Sequence, residues 1–378
     1  MSNFSIATKI IIGSEDSKDV FAGMTKVMII TDNFMKESGK VSYVTELLEE
    51  FQIQYEIFSD VRPDPDIESV TKGVLILEEL KPQAVVAFGG GSAIDAAKAV
   101  VYFASRNNQS TRCTFVAIPT TSGTGTEVTK FAIISDPAKK AKYPLVDDKL
   151  IPDYCILDAE LIKSVPPSVT ADTGVDVFTH AIEAIVSSKA NDFSDAAAEK
   201  AIKLFRDNLL KAFKKPDDMQ ARKGMHNAST LAGIAFSNAG LGLNHGIAHT
   251  LGAHFHIPHG RANAIILPYV ISFNAGLYDT INETAKRYQI IAELLNVDST
   301  MPRQSCLNLV RFVNGYIKKL NLPSTIQEAG IDEKSFMDNL DEMVKAALAD
   351  RCTATNPREC TYDEVHRLFQ TAYYGKVR

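Results

Sequence analysis

The periodicity of the apolar residues changes once along the chain, and this change constrains the fold more than any other feature. Up to about residue 160, short apolar runs such as KVMIITD (26–32) alternate with amphipathic segments such as SYVTELLEEF (42–51). This alternation predicts a doubly wound, mostly parallel sheet with helices on both faces. After the two prolines of SVPPSVT (164–170), every remaining pattern is helical. We therefore expect an α/β domain at residues 1–168 and an all-α domain at residues 169–378.

The length agrees with two domains, because 378 residues exceed the ~250–300 at which a single core stops growing. Further strands are expected at 55–61, 84–91, 115–121, 129–136 and 154–158, and further helices of the first domain at 66–81 and 92–104. Helices of the second domain are expected at about 171–188, 194–213, 218–236, 241–255, 261–275, 281–295, 303–320, 332–348 and 361–373. Pro258 and Pro268 are expected to interrupt this helical pattern, since proline has no backbone N–H.

Composition excludes several classes of function. The chain has a net charge of −6 and no run of basic residues, which argues against a nucleic-acid partner. No apolar run approaches the ~18 residues of a membrane span, and the start MSNFSIATKIIIG lacks the pattern of a signal peptide. The five cysteines are widely spaced with no CxxC, as in reduced cytoplasmic proteins. These features favour a cytoplasmic protein that acts on a small molecule.

Two loops rich in small and hydroxyl-bearing residues each follow a predicted strand. FGGGSAIDAAKA lets backbone N–H groups approach a ligand at a helix N-terminus, where the potential is positive. Alone this turn fits tight strand–helix packing equally well, and it is not the G-x-G-x-x-G fingerprint. PTTSGTGTEVT (119–129) supplies a second such loop, and the two together favour a nucleotide. Asp32, at the end of the first clear strand, is either a helix N-cap or a ribose ligand that favours NAD over NADP.

The histidines are confined to the second half, which suggests a metal site. All eight follow residue 179, and five lie between His245 and His259. Asp176 and His180 are four residues apart and share one helical face, as do His245 and His249. A carboxylate with imidazoles suits Fe²⁺, Zn²⁺ or Mn²⁺, and the absence of thiolates argues against a structural zinc site. The other histidines are interpreted as structural, solvated or pocket-lining: His226, His254, His256 and His366.

The order of these motifs resembles that of one enzyme family. GGGSAIDAAKA, PTTSGTGTEVT, D-x-x-x-H and H-x-x-x-H with a later PHG resemble the iron-dependent (group III) alcohol dehydrogenases over essentially the whole chain. KGMHNASTLAGIAFSNAGLGLNHGIAH, DFSDAAAEKA and ATNPR are most similar to propanol dehydrogenases associated with bacterial microcompartments. Bifunctional aldehyde–alcohol dehydrogenases and lactaldehyde reductases come next. The resemblance implies a Rossmann-like N-terminal domain and an all-α metal-binding C-terminal domain, as in the dehydroquinate synthase-like architecture.

The resemblance also implies a set of site residues. His249 would be the catalytic side chain beside the nicotinamide, and His256 stands where other members carry Asn or Asp. Metal ligands would be Asp176, His180, His245 and His259. Residues around the cofactor pyrophosphate would be Gly90, Gly91, Ser92 and Asp95, and those along the adenosine–ribose channel Thr120, Thr121, Thr124 and Thr129. Further cofactor-binding residues would be Asp32, Asp64 (where many members have asparagine) and Lys142 (near the nicotinamide ribose).

The implied activity is NAD(H)-dependent interconversion of short-chain aldehydes and primary alcohols at Fe²⁺, or alternatively Zn²⁺. Small residues in IAFSNAGLGL favour a narrow pocket, with propanal first and ethanol or butanol as other products or substrates. Three alternatives stay open: a lactaldehyde, diol or other polyol dehydrogenase, a lyase of dehydroquinate synthase type, and a weakly active assembly subunit. The family suggests a homodimer that pairs through SIATKIII. The expected location is the cytoplasm or a microcompartment lumen, with an aldehyde dehydrogenase or shell protein as further partner.

Overall fold

The chain divides into two compact units. The computed structural model describes residues 4–13, 15–63, 65–107, 113–137 and 141–376. The first unit is Ser5–Ser164, and the second unit runs from Val165 onward and includes Phe4. None of the described helices is both long and apolar enough to cross a membrane.

The first unit is an α/β domain. Its strands are β1 (Lys9–Ile12), β2 (Lys26–Asp32), β3 (Gln54–Val61), β4 (Ala84–Gly89), β5 (Thr114–Pro119), β6 (Phe131–Asp136), β7 (Ala141–Val146) and β8 (Tyr154–Leu157). Its helices are α1 (Asn33–Glu37), α2 (Ser42–Glu50), α3 (Ile67–Leu80) and α4 (Gly91–Asn107). Six strands form one parallel sheet in the order β1-β8-β5-β4-β2-β3, while β6 and β7 form a separate antiparallel pair. The predicted doubly wound parallel sheet is confirmed.

Alternating side chains of the sheet strands pack into two apolar cores, one on each face of the sheet. In β2, Val27 and Ile29 pack into a cluster that includes Val44 and Leu48 of α2. Met28 and Ile30 face the other way, into a cluster with residues of α3 and α4. Helices therefore cover both faces of the sheet, which explains why β2 is apolar at nearly every position. The carboxyl ends of β2, β4 and β5 lie side by side, the place where ligands bind in such sheets.

Every regular element described from residue 165 to residue 376 is helical, which confirms the predicted all-α second half. The α-helices are α5 (Pro167–Val186), α6 (Asp192–Lys214), α7 (Met219–Ala239), α8 (Leu243–Phe255), α9 (His259–Asn274), α10 (Thr284–Leu294), α11 (Pro302–Lys319), α12 (Glu333–Ala349) and α13 (Tyr362–Tyr374). One apolar cluster joins α8, α9, α12 and α13. The buried side chains of α5 extend around most of its circumference, so this helix lies inside the domain.

Two expectations from the sequence need correction, and a third is not contradicted. Helix α5 begins at Pro167 rather than near residue 171, because proline is well tolerated at the first helical position. Helix α9 continues through Pro268, since this buried helix loses only one backbone hydrogen bond there and is held by its neighbours. Strand β1 is the edge strand of the sheet and pairs in parallel with β8 on one side. Its other edge has no neighbouring strand in the described sheet, so the pairing of this edge with a partner chain stays a prediction.

Candidate metal centre and nucleotide-binding loops

Three helices bring one carboxylate and three imidazoles together. Asp176 and His180 lie one turn apart on the buried helix α5. His245 lies in the first turn of α8, which ends at His256 in a left-handed conformation (φ 54°). Pro258 then reverses the chain, and His259 is the first residue of α9. One donor atom from each of the four predicted ligands lies within 4.8 Å of the others.

The spacing of these donor atoms suits a small cation. Asp176 Oδ1 lies 3.6 Å from His259 Nε2, 3.8 Å from His245 Nε2 and 4.0 Å from His180 Nε2. Ligands of a tetrahedral site with bonds of about 2.1 Å stand roughly 3.4 Å apart. Small inward movements would therefore bring all four into bonding distance.

The electrostatics of the cluster also fit a divalent metal. Burial raises the pKa of Asp176, so its charged form lacks the solvation that water would provide. Burial also holds the pKa of His245 well below its usual range, which keeps the ring neutral and able to donate a lone pair. A buried carboxylate beside the neutral imidazole of His245 is stabilised by a positive ion at the centre of the cluster.

Glu183 and Asn263, which are not among the predicted site residues, contact two of these ligands, and Asp350, also not predicted, contacts His249. Glu183 Oε2 contacts His245 Nδ1 within hydrogen-bonding distance. Asn263 Nδ2 donates to Asp176 Oδ1 over 2.7 Å. Glu183 could have been found, because it follows His180 by one turn on an otherwise apolar stretch of α5. Asn263 likewise stands one turn after His259, whereas Asp350 is 101 residues from its partner His249 and has no local signal.

His249 lies beside the cluster without belonging to the four-donor group. Its ring stacks on that of His259 with centroids 5.4 Å apart, and its side chain is 27% exposed. Nδ1 of His249 lies 2.8 Å from Asp350 Oδ2. The hydrogen bond to His249 is the largest effect opposing burial at Asp350, and the net result lowers the pKa of Asp350 to about 2. A carboxylate in this state accepts from Nδ1–H, which leaves the lone pair on Nε2 of His249.

The two glycine- and threonine-rich loops of the first unit pack directly on each other. A Cβ added to Gly90 would lie 3.3 Å from Thr121 Cγ2, and one added to Gly91 would lie 2.7 Å from Thr124 Cγ2. Gly91 is also the first residue of α4 and Ser92, half-buried, the second. Thr120 Oγ1 is buried with no hydrogen-bond partner among the described residues, so it has donor and acceptor capacity left for a ligand. These features fit a phosphate-bearing cofactor.

Asp95 and Thr129 differ from the expectation of direct cofactor contact. Asp95 accepts hydrogen bonds from Thr126 Oγ1 (2.7 Å) and from Ile133 N (3.1 Å). Thr129 Oγ1 is 3.1 Å from Nζ of the fully buried Lys98. Because both side chains are already bonded within the protein, they hold the loop between β5 and β6 rather than point free groups at a ligand.

The remaining predicted cofactor-binding residues are Asp32, Asp64 and Lys142. Asp32 Oδ1 accepts from Met35 N over 2.9 Å and caps α1, as the alternative interpretation expected. The cap uses only this oxygen, so Oδ2 of Asp32 is available for a ribose hydroxyl. Asp64 and the side chain of Lys142 lie outside the described residues.

The four other histidines are distributed over α7, α8 and α13. His226 is buried on α7. His254 Nδ1 lies 3.0 Å from Thr250 O, and His366 Nε2 lies 3.9 Å from Asp341 Oδ1. His256 is the C-cap residue of α8, and its left-handed backbone conformation terminates the helix.

Comparison with known proteins identifies the family. Residues 7–159 match the family described as iron-containing alcohol dehydrogenase, and residues 170–373 match the C-terminal domain of the Fe-containing alcohol dehydrogenase family. The chain belongs to the iron-containing alcohol dehydrogenase family. The resemblance inferred from the motifs is thereby confirmed. This alcohol dehydrogenase is an oxidoreductase that interconverts alcohols and aldehydes with a metal and NAD(H).

Three relatives cover nearly all of this iron-containing alcohol dehydrogenase. It is 44% identical over 374 residues to the 1-propanol dehydrogenase PduQ of Citrobacter freundii, covering 98% of this chain and 99% of the relative. It is 38% identical to an NADPH-dependent butanol dehydrogenase of Clostridium saccharobutylicum, covering 96% and 95% of the two chains. A solved structure of a 1,3-propanediol oxidoreductase superposes with a TM-score of 0.89 at 30% identity, covering 99% and 100%.

Proposed function

We propose that this alcohol dehydrogenase reduces short-chain aldehydes, propanal first, to primary alcohols and regenerates NAD. The observation that carries the proposal is the convergence of four donor atoms, from Asp176, His180, His245 and His259, within 4.8 Å. The 44% identity to a 1-propanol dehydrogenase supports the choice of substrate. Small side chains in the segment IAFSNAGLGL are consistent with a narrow pocket.

The four clustered side chains would hold Fe²⁺, with Zn²⁺ as the alternative that this ligand set also accepts. A divalent metal supplies Lewis acidity, which polarises an aldehyde carbonyl or lowers the pKa of an alcohol. The protein's own contribution is to hold one carboxylate and three imidazoles around a common centre, with Asp176, His180 and His245 buried.

His249 would move the proton that the reaction consumes. Its Nδ1 is held by Asp350 over 2.8 Å, so Nε2 is the atom that accepts a proton from solvent and passes it on. The partial exposure of the ring gives it access to water. Asp350 would fix the ring orientation and would stabilise the imidazolium form while the proton is carried.

The cofactor would supply the hydride. Gly90, Gly91 and Ser92 would bind its pyrophosphate at the start of α4, and Thr120, Thr121 and Thr124 would line the adenosine–ribose channel. Asp95 and Thr129 would act indirectly, by holding the second loop. Asp64 and Lys142 remain proposed cofactor-binding residues. Asp32 would select NAD(H) by repelling a 2′-phosphate, although one relative is described as NADPH-dependent.

A diol or hydroxyaldehyde substrate is the second candidate, because a 1,3-propanediol oxidoreductase shares the fold at 30% identity. The test is kcat/KM for propanal, butanal, 3-hydroxypropanal and lactaldehyde on the iron-loaded enzyme. We expect kcat/KM for propanal to exceed that for both hydroxyaldehydes by at least about tenfold, because the extra hydroxyl must give up its hydrogen bonds with water on entering a narrow pocket. A preference for either hydroxyaldehyde would favour the second candidate, and negligible turnover of all four would favour the assembly subunit.

Assembly and location form a separate part of the proposal. We expect a homodimer that uses the outer edge of β1, where Ile6 and Ile12 are 53% and 57% exposed. The cytoplasm is the proposed location, with a microcompartment lumen as the alternative and an aldehyde dehydrogenase or shell protein as partner. Light scattering of the Ile12→Lys variant checks the dimer, since a charge at that edge is expected to yield monomers.

A further inference from the structure

Glu183 is a buried carboxylate that touches two parts of the proposed metal centre at once. It lies on α5, two turns after Asp176, and is only 2% exposed. Its Oε1 accepts from Asn244 N over 2.8 Å, and its Oε2 contacts His245 Nδ1. Burial disfavours the charged form of Glu183, whereas hydrogen bonds from the backbone of Asn244, Gly242 and His245 favour it.

The first of these contacts replaces a missing helix cap. Helix α8 begins after Gly242, which has no side chain to accept from the free N–H groups of the first turn. A Cβ at Gly242 would lie 2.8 Å from Glu183 Oε1, so glycine is what allows the carboxylate to approach. A negative group at this end of α8 is also favoured by the helix dipole.

The second contact determines which nitrogen of His245 can bind a metal. A carboxylate oxygen at Nδ1 requires the hydrogen on Nδ1, which leaves the lone pair on Nε2. Nε2 is the atom that lies 3.8 Å from Asp176 Oδ1, within the cluster of donor atoms. The ring therefore offers its lone pair to the same centre as the other three ligands.

We propose that Glu183 is a positioning residue that caps α8 in place of Gly242 and fixes His245 in its metal-binding tautomer. The inference rests on the proposed metal site. Helix α5 then contributes two ligands, Asp176 and His180. Through Glu183 it also sets the position and the tautomer of a third ligand, His245.

The test is the affinity of the metal-free protein for Co²⁺, measured by competition with a chelator that has a spectroscopic signal. In Glu183→Gln, the amide NH₂ must face either the N–H groups of α8 or Nδ1 of His245, and the second choice favours the wrong tautomer. We expect Co²⁺ to bind about 10- to 100-fold more weakly than in the unchanged protein. Asp195→Asn is the matched control, because it removes a carboxylate paired with Arg287 elsewhere in the same domain and should leave Co²⁺ affinity unchanged.

The outcomes separate this inference from the proposed function. Co²⁺ binding to Glu183→Gln within about twofold of the unchanged protein would overturn the positioning role alone. A failure of the unchanged protein to bind Co²⁺ would overturn the metal site and this inference with it. If the variant does not fold, ¹⁵N-histidine NMR of the unchanged, Zn²⁺-loaded protein decides the matter. An Nδ1–H on His245 is the expected result, and an Nε2–H would overturn the inference.

Discussion

At the scale of single residues, His249 and the four proposed ligands have separable tasks. His249→Ala should lower kcat by about 10²- to 10⁴-fold, the usual contribution of a proton-transfer group. Metal content should stay unchanged, because His249 is outside the four-donor group. Steady-state kinetics together with metal analysis check both statements. His366→Ala, a histidine on α13, is the control expected to change neither. An unchanged turnover and pH profile in His249→Ala would show that this ring carries no proton.

Asp32 is expected to have two roles, the capping of α1 and the selection of NAD(H) over NADP(H), and two variants distinguish them. Asp32→Ser keeps an oxygen that caps α1, but it removes the negative charge that would repel a 2′-phosphate. We expect kcat/KM for NADPH relative to NADH to rise by about tenfold or more, with little change in thermal stability. Asp32→Ala should show the same change in cofactor preference. Its free energy of unfolding should also fall by about 1 kcal/mol, because alanine cannot cap α1. An unchanged cofactor ratio in both variants would refute the selective part.

The sequence allowed some site residues to be predicted and not others, for physical reasons. Asp176 and His180, and then His245, are found because helical spacing places them on shared faces. The proline before His259 predicts the reversal that returns the chain to the cluster. Asp350 has no such signal, since its contact with His249 depends on how α12 packs against α8. Tertiary contacts of this kind are not encoded in any local pattern.

At the scale of the elements, Lys98 fastens the second nucleotide-binding loop to α4. Its ammonium donates to Thr126 Oγ1 (2.8 Å), to Thr129 O (2.7 Å) and to Phe131 O (2.7 Å). Burial lowers its pKa to about 8, against the opposing effect of Asp95 and Glu127. The sequence of α4 did not predict this role, because a single lysine in an Ala-rich helix is usually exposed to solvent.

Lys98→Met should destabilise the first unit by about 3–5 kcal/mol, because it leaves the buried carbonyls of Thr129 and Phe131 without their charged donor and removes the positive charge near Asp95. The KM for NADH should rise, while Co²⁺ affinity should stay the same. Denaturant unfolding and steady-state kinetics measure the two effects. Lys72→Met is the control, because this exposed lysine pairs with Asp60 and Glu68 at the surface, where solvent screens the interaction. Equal stability of the two variants would contradict the clamping role.

The periodicity of apolar residues predicted most of the helices and strands, and the elements that it missed have identifiable physical causes. Strand β2 was predicted with its observed bounds because both of its faces are buried. Strand β6 was predicted, but its partner β7 was not. The sequence of β7, AKYPLV, contains a proline and pairs only with β6 outside the main sheet, so it lacks the apolar run of a core strand.

At the scale of the whole molecule, the two units should respond to different ligands. Hydrogen exchange should show that a divalent metal protects peptides of α5, α8 and α9, because binding stabilises only the folded state that presents its ligands. NADH added without metal should protect the loops at residues 89–95 and 119–126. Metal protection confined to residues 5–164 would contradict the proposed division of tasks.

The metal centre underlies both the proposed activity and the proposed role of Glu183, and reconstitution with metal tests whether it exists. The protein is stripped of metal, reloaded anaerobically with Fe²⁺ or Zn²⁺, and assayed for NADH oxidation with propanal. We expect Fe²⁺ to restore turnover, and His259→Ala to reduce it by at least about a hundredfold, since a Lewis acid supplies several kcal/mol. Full turnover by the metal-free protein, or by His259→Ala, would contradict the assignment of Asp176, His180, His245 and His259 as the catalytic metal site.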